Sequence, residues 1–107
     1  MPVRGIRGAT SVAANDAEMI LAATSELLAT MVTSNEILVG DIAAAYFTVT
    51  TDLDAAFPAK AARQMGWQYV PLIDAREPPV PGSLPYCIRV LLLWNTDKRQ
   101  QEIVHVY

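Results

Sequence analysis

The chain has 107 residues, 52% hydrophobic and 18% charged, which is apolar enough for the core of one domain over residues 1–107 and too rich in apolar residues for a disordered chain. A net charge of −3 and a pI of about 4.9 exclude general nucleic-acid binding, although a local basic cluster can still hold a small anion. One cysteine, Cys87, and one histidine, His105, exclude an intrachain disulfide and an ordinary Cys/His zinc site, and they fit a reducing, cytoplasmic setting.

Met1 to Gly8 lacks the apolar core of a signal peptide. The longest apolar run, Ile42 to Phe47, is too short to span a bilayer, so no membrane association is expected. The apolar excess over what so small a core needs points to an oligomer interface.

Val3 to Val12 reads as a first strand, loosened by Gly5 and Gly8. On a regular strand Arg7 shares a face with Val3, Gly5 and Ala9. Asn15-Asp16-Ala17-Glu18 is a helix start, with Asn15 as cap and Glu18 as its reciprocal partner. Ala17, Ile20, Leu21, Thr24, Leu27, Leu28 and Met31 form one apolar stripe at three- and four-residue spacing. The helix should end near Ser34-Asn35; about nineteen residues make roughly 28 Å, enough to cover a sheet face.

Ile42 to Thr50 is expected to be a strand, with aromatic and β-branched residues at its end, although its alanines also suit a helix. Phe57 to Met65 predicts a short helix with Pro58 in its first turn and Gly66 ending it. Lys60 and Arg63 then share one face. Tyr69 to Ile73 reads as a third strand, and Pro78 to Pro85 as a stiff extended loop. Cys87 to Trp94 is apolar at odd and even positions alike, which predicts a strand buried on both faces. Asn95 to Gln100 is a polar turn, and Ile103 to Tyr107 a final strand. The order β-α-β-α-β-β-β describes an α+β domain: a mixed sheet, one long helix, one short helix, and a sheet face or edge left for a partner subunit.

Arg89 lies inside that most apolar strand. A guanidinium does not deprotonate to escape burial, so it needs an internal carboxylate or an external anion. Arg7 poses the same question. No phosphate-binding Gly-rich loop and no Gly-x-Ser-x-Gly elbow is present. His105 reads as a packed or surface histidine and Cys87 as an inert buried thiol. Taken singly, Lys60 and Arg63 read as a solvated helix face, Phe57 and Tyr107 as core or interface aromatics, and Glu77 as the structural partner of an arginine.

Read together, several segments resemble the small trimeric chorismate mutases of the AroH class. They are Arg4-Gly5-Ile6-Arg7-Gly8-Ala9-Thr10, Ala56-Phe57-Pro58-Ala59-Lys60-Ala61-Ala62-Arg63, Gly66-Trp67-Gln68-Tyr69-Val70-Pro71-Leu72, Cys87-Ile88-Arg89-Val90, Asn95-Thr96-Asp97 and His105-Val106-Tyr107. Order and spacing match from end to end. The resemblance implies a pseudo-α/β-barrel homotrimer with active sites in clefts between neighbouring subunits. It implies rearrangement of chorismate to prephenate without metal or organic cofactor. Carried over by position, Arg89 donates to the substrate's ether oxygen, and Arg7 clamps a carboxylate with help from the Tyr107 hydroxyl. Glu77 accepts from the ring hydroxyl and orients Arg89 or Arg7. Phe57 packs on the substrate from the adjoining subunit, Ala59 also binds substrate, Lys60 and Arg63 sit at the mouth, and Leu72, Ile73 and Asp74 line the pocket.

Two departures from the family pattern stand out. Asp74 occupies a position that is commonly cysteine, and it adds a negative charge beside a dianion's site. There it would share Glu77's task or neutralise Arg7, and two near carboxylates titrate as a coupled pair. A rate more sensitive to acid pH than the family's is therefore expected. The second departure is at the C-terminus: family members run past Tyr107 with a tail that helps cover the site, so weaker substrate binding is expected here if that tail matters. Asp74 is also the reason for a second reading, a non-catalytic or altered-specificity trimer that binds a small carboxylate. A third, a purely structural oligomer with Arg7 and Arg89 paired to Glu77 and Asp74, leaves the joint spacing of the charged residues unexplained.

Overall fold

The computed structural model describes residues 1–107. Four strands make one mixed sheet: β1 (Val3–Ser11), β2 (Ile42–Val49), β3 (Leu72–Arg76) and β4 (Cys87–Asn95), in the spatial order β1-β4-β2-β3. β4 runs antiparallel to both β1 and β2, while β3 lies parallel to β2. The long helix α1 (Ala17–Asn35) covers one face, and the short helix α2 (Ala59–Gln64) packs beside it. No helix is long and apolar enough to cross a membrane.

The apolar stripe of α1 behaves as its spacing requires: Ile20, Thr24, Leu27, Leu28 and Met31 are buried against the sheet. Leu27, Leu28 and Met31 share one core cluster with Ile6 of β1, Phe47 of β2, and Val90, Leu92 and Trp94 of β4, while Ile20 packs with Leu53 and with Ile88 of β4. Gly8 lets helix and strand approach, because a Cβ there would lie 2.5 Å from Met31 Sδ. The helix cap falls one residue later than expected. Asp16, not Asn15, accepts the N–H of Met19 (3.0 Å), so Glu18 has no reciprocal partner. Asn15 instead ties down residues 54 and 55: its Oδ1 accepts the N–H groups of Asp54 and Ala55, each at 3.0 Å. At the other end Glu36 is left-handed (φ 55°), and Ile37 N–H reaches back to Val32 O (3.0 Å).

The expected second strand holds, while the bounds of two others need correction. Residues 42–49 are strand throughout, with a bulge between Ile42 and Ala44; pairing on both sides overrides the helix propensity of the alanines. The third strand begins later than Tyr69. Pro71 has no N–H, and its carbonyl accepts from Ala45 before the ladder starts at Leu72 and runs to Arg76. The final strand is reduced to a single bridge of Val106 with Gly8. The side chain of Asn35 takes both backbone groups of Val104, donating to its carbonyl and accepting from its N–H, each at 2.9 Å. Val104 therefore has nothing left to pair with β1.

The fourth strand is not buried on both faces. Ile88, Val90, Leu92 and Trp94 point into the core, while Arg89 and Leu91 alternate onto an open face. Nothing within the chain covers that second face, which also exposes Val3, Tyr46 and Ile73.

Candidate active site

The strand registers fix which side chains share the open face. Ala9, Arg89, Thr48 and Ala75 form one cross-strand row, and Arg7, Leu91, Tyr46 and Ile73 the next. The two arginines are thus diagonal neighbours. Tyr107 joins them from the C-terminal segment. Val106 N–H donates to Arg7 O (3.0 Å), Ala9 N–H donates to Val106 O (2.9 Å), and Arg7 N–H donates to His105 Nδ1 (3.0 Å). His105 thus serves as a hydrogen-bond acceptor for the β1 backbone, a packing role. The Arg7 guanidinium stands 6.0 Å from the Tyr107 ring centroid. Arg7, Tyr46, Thr48, Arg89, Leu91 and Tyr107 enclose an open cavity of about 340 Å³.

Glu77 follows β3 and is anchored by its N–H donating to Val49 O (2.8 Å). One carboxylate oxygen pairs with Arg89 Nη1, and the other accepts from Thr48 Oγ1 (2.6 Å). The Arg89 side chain keeps 47% exposure against 15% for Glu77. Only one guanidinium nitrogen has a partner, so the remaining donors are available to the cavity.

The remaining expected site residues gather elsewhere. Leu72 and Asp74 point to the core side of β3, opposite Ile73, so Leu72 and Ile73 do not line one pocket within a chain. Asp74 Oδ1 accepts the N–H of Ala59 (3.0 Å), capping α2 from a distant strand. Burial pushes the Asp74 carboxyl up, opposed by that hydrogen bond and by the Arg63 charge. Within one chain Asp74 forms no ion pair with Arg7 and lies on the sheet face opposite Arg7 and Arg89. Its neighbours Phe57, Pro58, Ala75 and Arg76 line a separate groove of about 410 Å³. Ala59 is fully buried rather than facing a cleft. Lys60 and Arg63 are exposed on α2, and Arg63 borders a third groove with Trp67 and Leu72. Phe57, 70% exposed, and Tyr107, 76% exposed, are not core aromatics. Cys87 is buried and its thiol pushed up by that burial, as an inert thiol should be.

Two polar residues escaped the sequence reading. Thr48 and Asn35 each have a signal, Thr48 by its parity with Tyr46 in β2 and Asn35 by its place on the buried stripe of α1, but neither signal names a partner.

A family model for chorismate mutase type I matches residues 3–107. The chain is similar to "Chorismate mutase AroH" of Thermus thermophilus, 58% identical over 98% of this chain and 87% of that protein. It is 44% identical to "Chorismate mutase AroH" of Bacillus subtilis (strain 168), over 100% of this chain and 85% of that one. Among solved structures, a chorismate mutase from Clostridium thermocellum superposes with a TM-score of 0.95 at 52% identity, covering 96% of this chain and 92% of the other. With a match running from β1 to Tyr107, the chain belongs to the chorismate mutase type I family.

Proposed function

We propose that this protein rearranges chorismate to prephenate, and that Arg89 supplies the decisive donor. The observation that carries the reading is the half-satisfied guanidinium on the open sheet face, beside Arg7 and Tyr107. Chorismate carries two carboxylates, and its rearrangement breaks a C–O bond while forming a C–C bond within one molecule. No nucleophile and no proton transfer is needed. The protein must hold a compact substrate conformer. It must also meet negative charge growing on the ether oxygen with a donor already in place. Glu77 fixes one edge of Arg89, which leaves the other edge aimed without further reorganisation. Arg7, with the Tyr107 hydroxyl, is the carboxylate clamp.

The same reading assigns the Phe57 groove, with Lys60 and Arg63 near it, to the site of an adjoining subunit in a homotrimer. Two features support this. The arginine cavity and the Phe57 groove are separate in one chain, and an apolar sheet face with Val3, Tyr46, Ile73 and Leu91 is exposed. The active unit is then a single domain of residues 1–107 repeated around the clefts, working in a reducing cytoplasm where Cys87 stays a free thiol.

Loss of chorismate absorbance with purified protein tests the activity, and light scattering tests the assembly. Saturable binding without turnover would replace the enzyme with a small-carboxylate binder. Neither turnover nor binding would leave only a structural oligomer.

A further inference from the structure

We infer that Thr48 is a positioning residue for the reaction, acting through Glu77 to aim Arg89; the inference rests on the proposed rearrangement of chorismate. Thr48 sits in β2 directly across from Arg89 on the open face. Its hydroxyl donates to Glu77 Oε2 (2.6 Å), while the other oxygen of the same carboxylate holds Arg89 Nη1. Glu77 lies outside β3, where a proline-rich loop begins, and its backbone is tied only through Val49 O. A glutamate has three rotatable bonds and loses much freedom when fixed. A β-branched threonine has fewer χ1 states to lose, and its backbone is held by pairing on both sides.

Thr48 therefore transmits the rigidity of the sheet to a carboxylate on a loop, and through it to the guanidinium. The arrangement also limits Glu77 to one edge of Arg89. Without the Thr48 hydroxyl, both carboxylate oxygens are free to chelate Arg89 in a two-pronged pair, the geometry such groups favour. That would consume donors the ether oxygen needs. The effect should fall on the step in which charge develops and much less on ground-state binding, which rests on Arg7.

The test compares Thr48→Val, Thr48→Ala and Thr48→Ser with the unmodified protein, in chorismate turnover and thermal unfolding. Valine preserves the shape and strand preference, alanine removes the hydroxyl without new methyl groups, and serine keeps the hydroxyl. The expected result is a kcat about tenfold lower for the valine and alanine variants, as for loss of one hydrogen bond to a charged group, with KM within about twofold. Serine should restore kcat to within about threefold of the unmodified protein, because the donor is back. Unfolding temperatures should stay together. Valine and alanine variants with undiminished kcat would overturn the inference, as would a serine variant as poor as valine, or a loss confined to KM. Absence of turnover in the unmodified protein is a different failure, which sinks the proposed reaction and the role of Thr48 with it.

Discussion

Replacing Asn35 by alanine should cost far more than a substitution near a helix end usually does. Asn35 is 1% exposed and closes the last turn of α1 onto the C-terminal segment. Its side chain makes three bonds, each of 2.9 Å: to Met31 O, to Val104 O, and from Val104 N–H. The Met31 carbonyl keeps its helical partner, so that loss is small. The two bonds to Val104 are worth about 1 kcal/mol each, and the vacated amide volume adds up to about 1 more, for a total of ~2–3 kcal/mol. Val104 is near the surface, and water rescues its freed groups, which keeps the sum from rising further. For a domain of this size that corresponds to a fall of roughly 10–20 °C in unfolding temperature. Urea midpoints measured at one fixed protein concentration give the free energy, since the proposed homotrimer would make apparent stability depend on concentration. Asn35→Asp sharpens the test. It keeps the acceptor for Val104 N–H but loses both donors and buries a charge, so at neutral pH it should be worse than alanine and recover as the carboxyl protonates. An alanine variant within about 0.5 kcal/mol of the unmodified protein would refute this reasoning, because no buried bond of the expected net worth would then be present.

Arg89→Ala should lower kcat about 10²–10³-fold, the usual loss for one pre-placed donor, and stability by less than about 1 kcal/mol because its pair with Glu77 is half exposed. Near-normal loss of chorismate absorbance in that variant would end its assigned role. Gly8→Ala places a methyl against Met31 Sδ and Leu27 Cδ1, both on the buried stripe of α1. It should destabilise by ~1–3 kcal/mol, and shortening Met31 to valine in the same chain should recover part of the loss in urea midpoint. The sign for Asp74 follows from its raised carboxyl, for which burial is the largest cause. The folded chain holds that proton more tightly than the unfolded one, so the ionised form is disfavoured on folding. The contribution to stability is therefore most favourable below the ordinary aspartate value, and it declines as pH rises through the raised one. Asp74→Asn keeps an acceptor for Ala59 N–H without the charge. It should gain over the unmodified protein at neutral pH, with the gap closing toward pH ~4. A gap that widens in acid would contradict the assignment.

Local physics made much of the fold legible. The 3.6-residue stripe of α1 has one solution, and Gly66 ends α2 with the positive φ (89°) that its residue type allows cheaply. Alternation placed Arg7 on the face of Gly5 and Ala9, and the pairing keeps it there. The family resemblance, spread over six segments, carried the function. Where boundaries slipped, the competing force was specific: the missing N–H of Pro71 delayed β3, and the amide of Asn35 dissolved the last strand into a bridge.

Burial was harder to read. A run such as Cys87 to Trp94 states that its residues are apolar but not which of its two faces the chain itself covers. Arg89 emerged on the open one because one long helix covers only one side of a four-stranded sheet. The partners of the charged groups were equally out of reach. Glu77 meets Thr48 across 29 residues of chain, Asp74 meets Ala59 across 15, and Asn35 meets Val104 across 69. Periodicity describes neighbours one or two turns away, whereas these contacts depend on strand order and register. By itself the sequence determined the elements and the chemistry that its arginines imply. Tertiary structure alone decided that within one chain Asp74 caps α2 at Ala59 rather than pairing with Arg7 or Arg89, and that Glu77 holds one edge of Arg89 and leaves the other free.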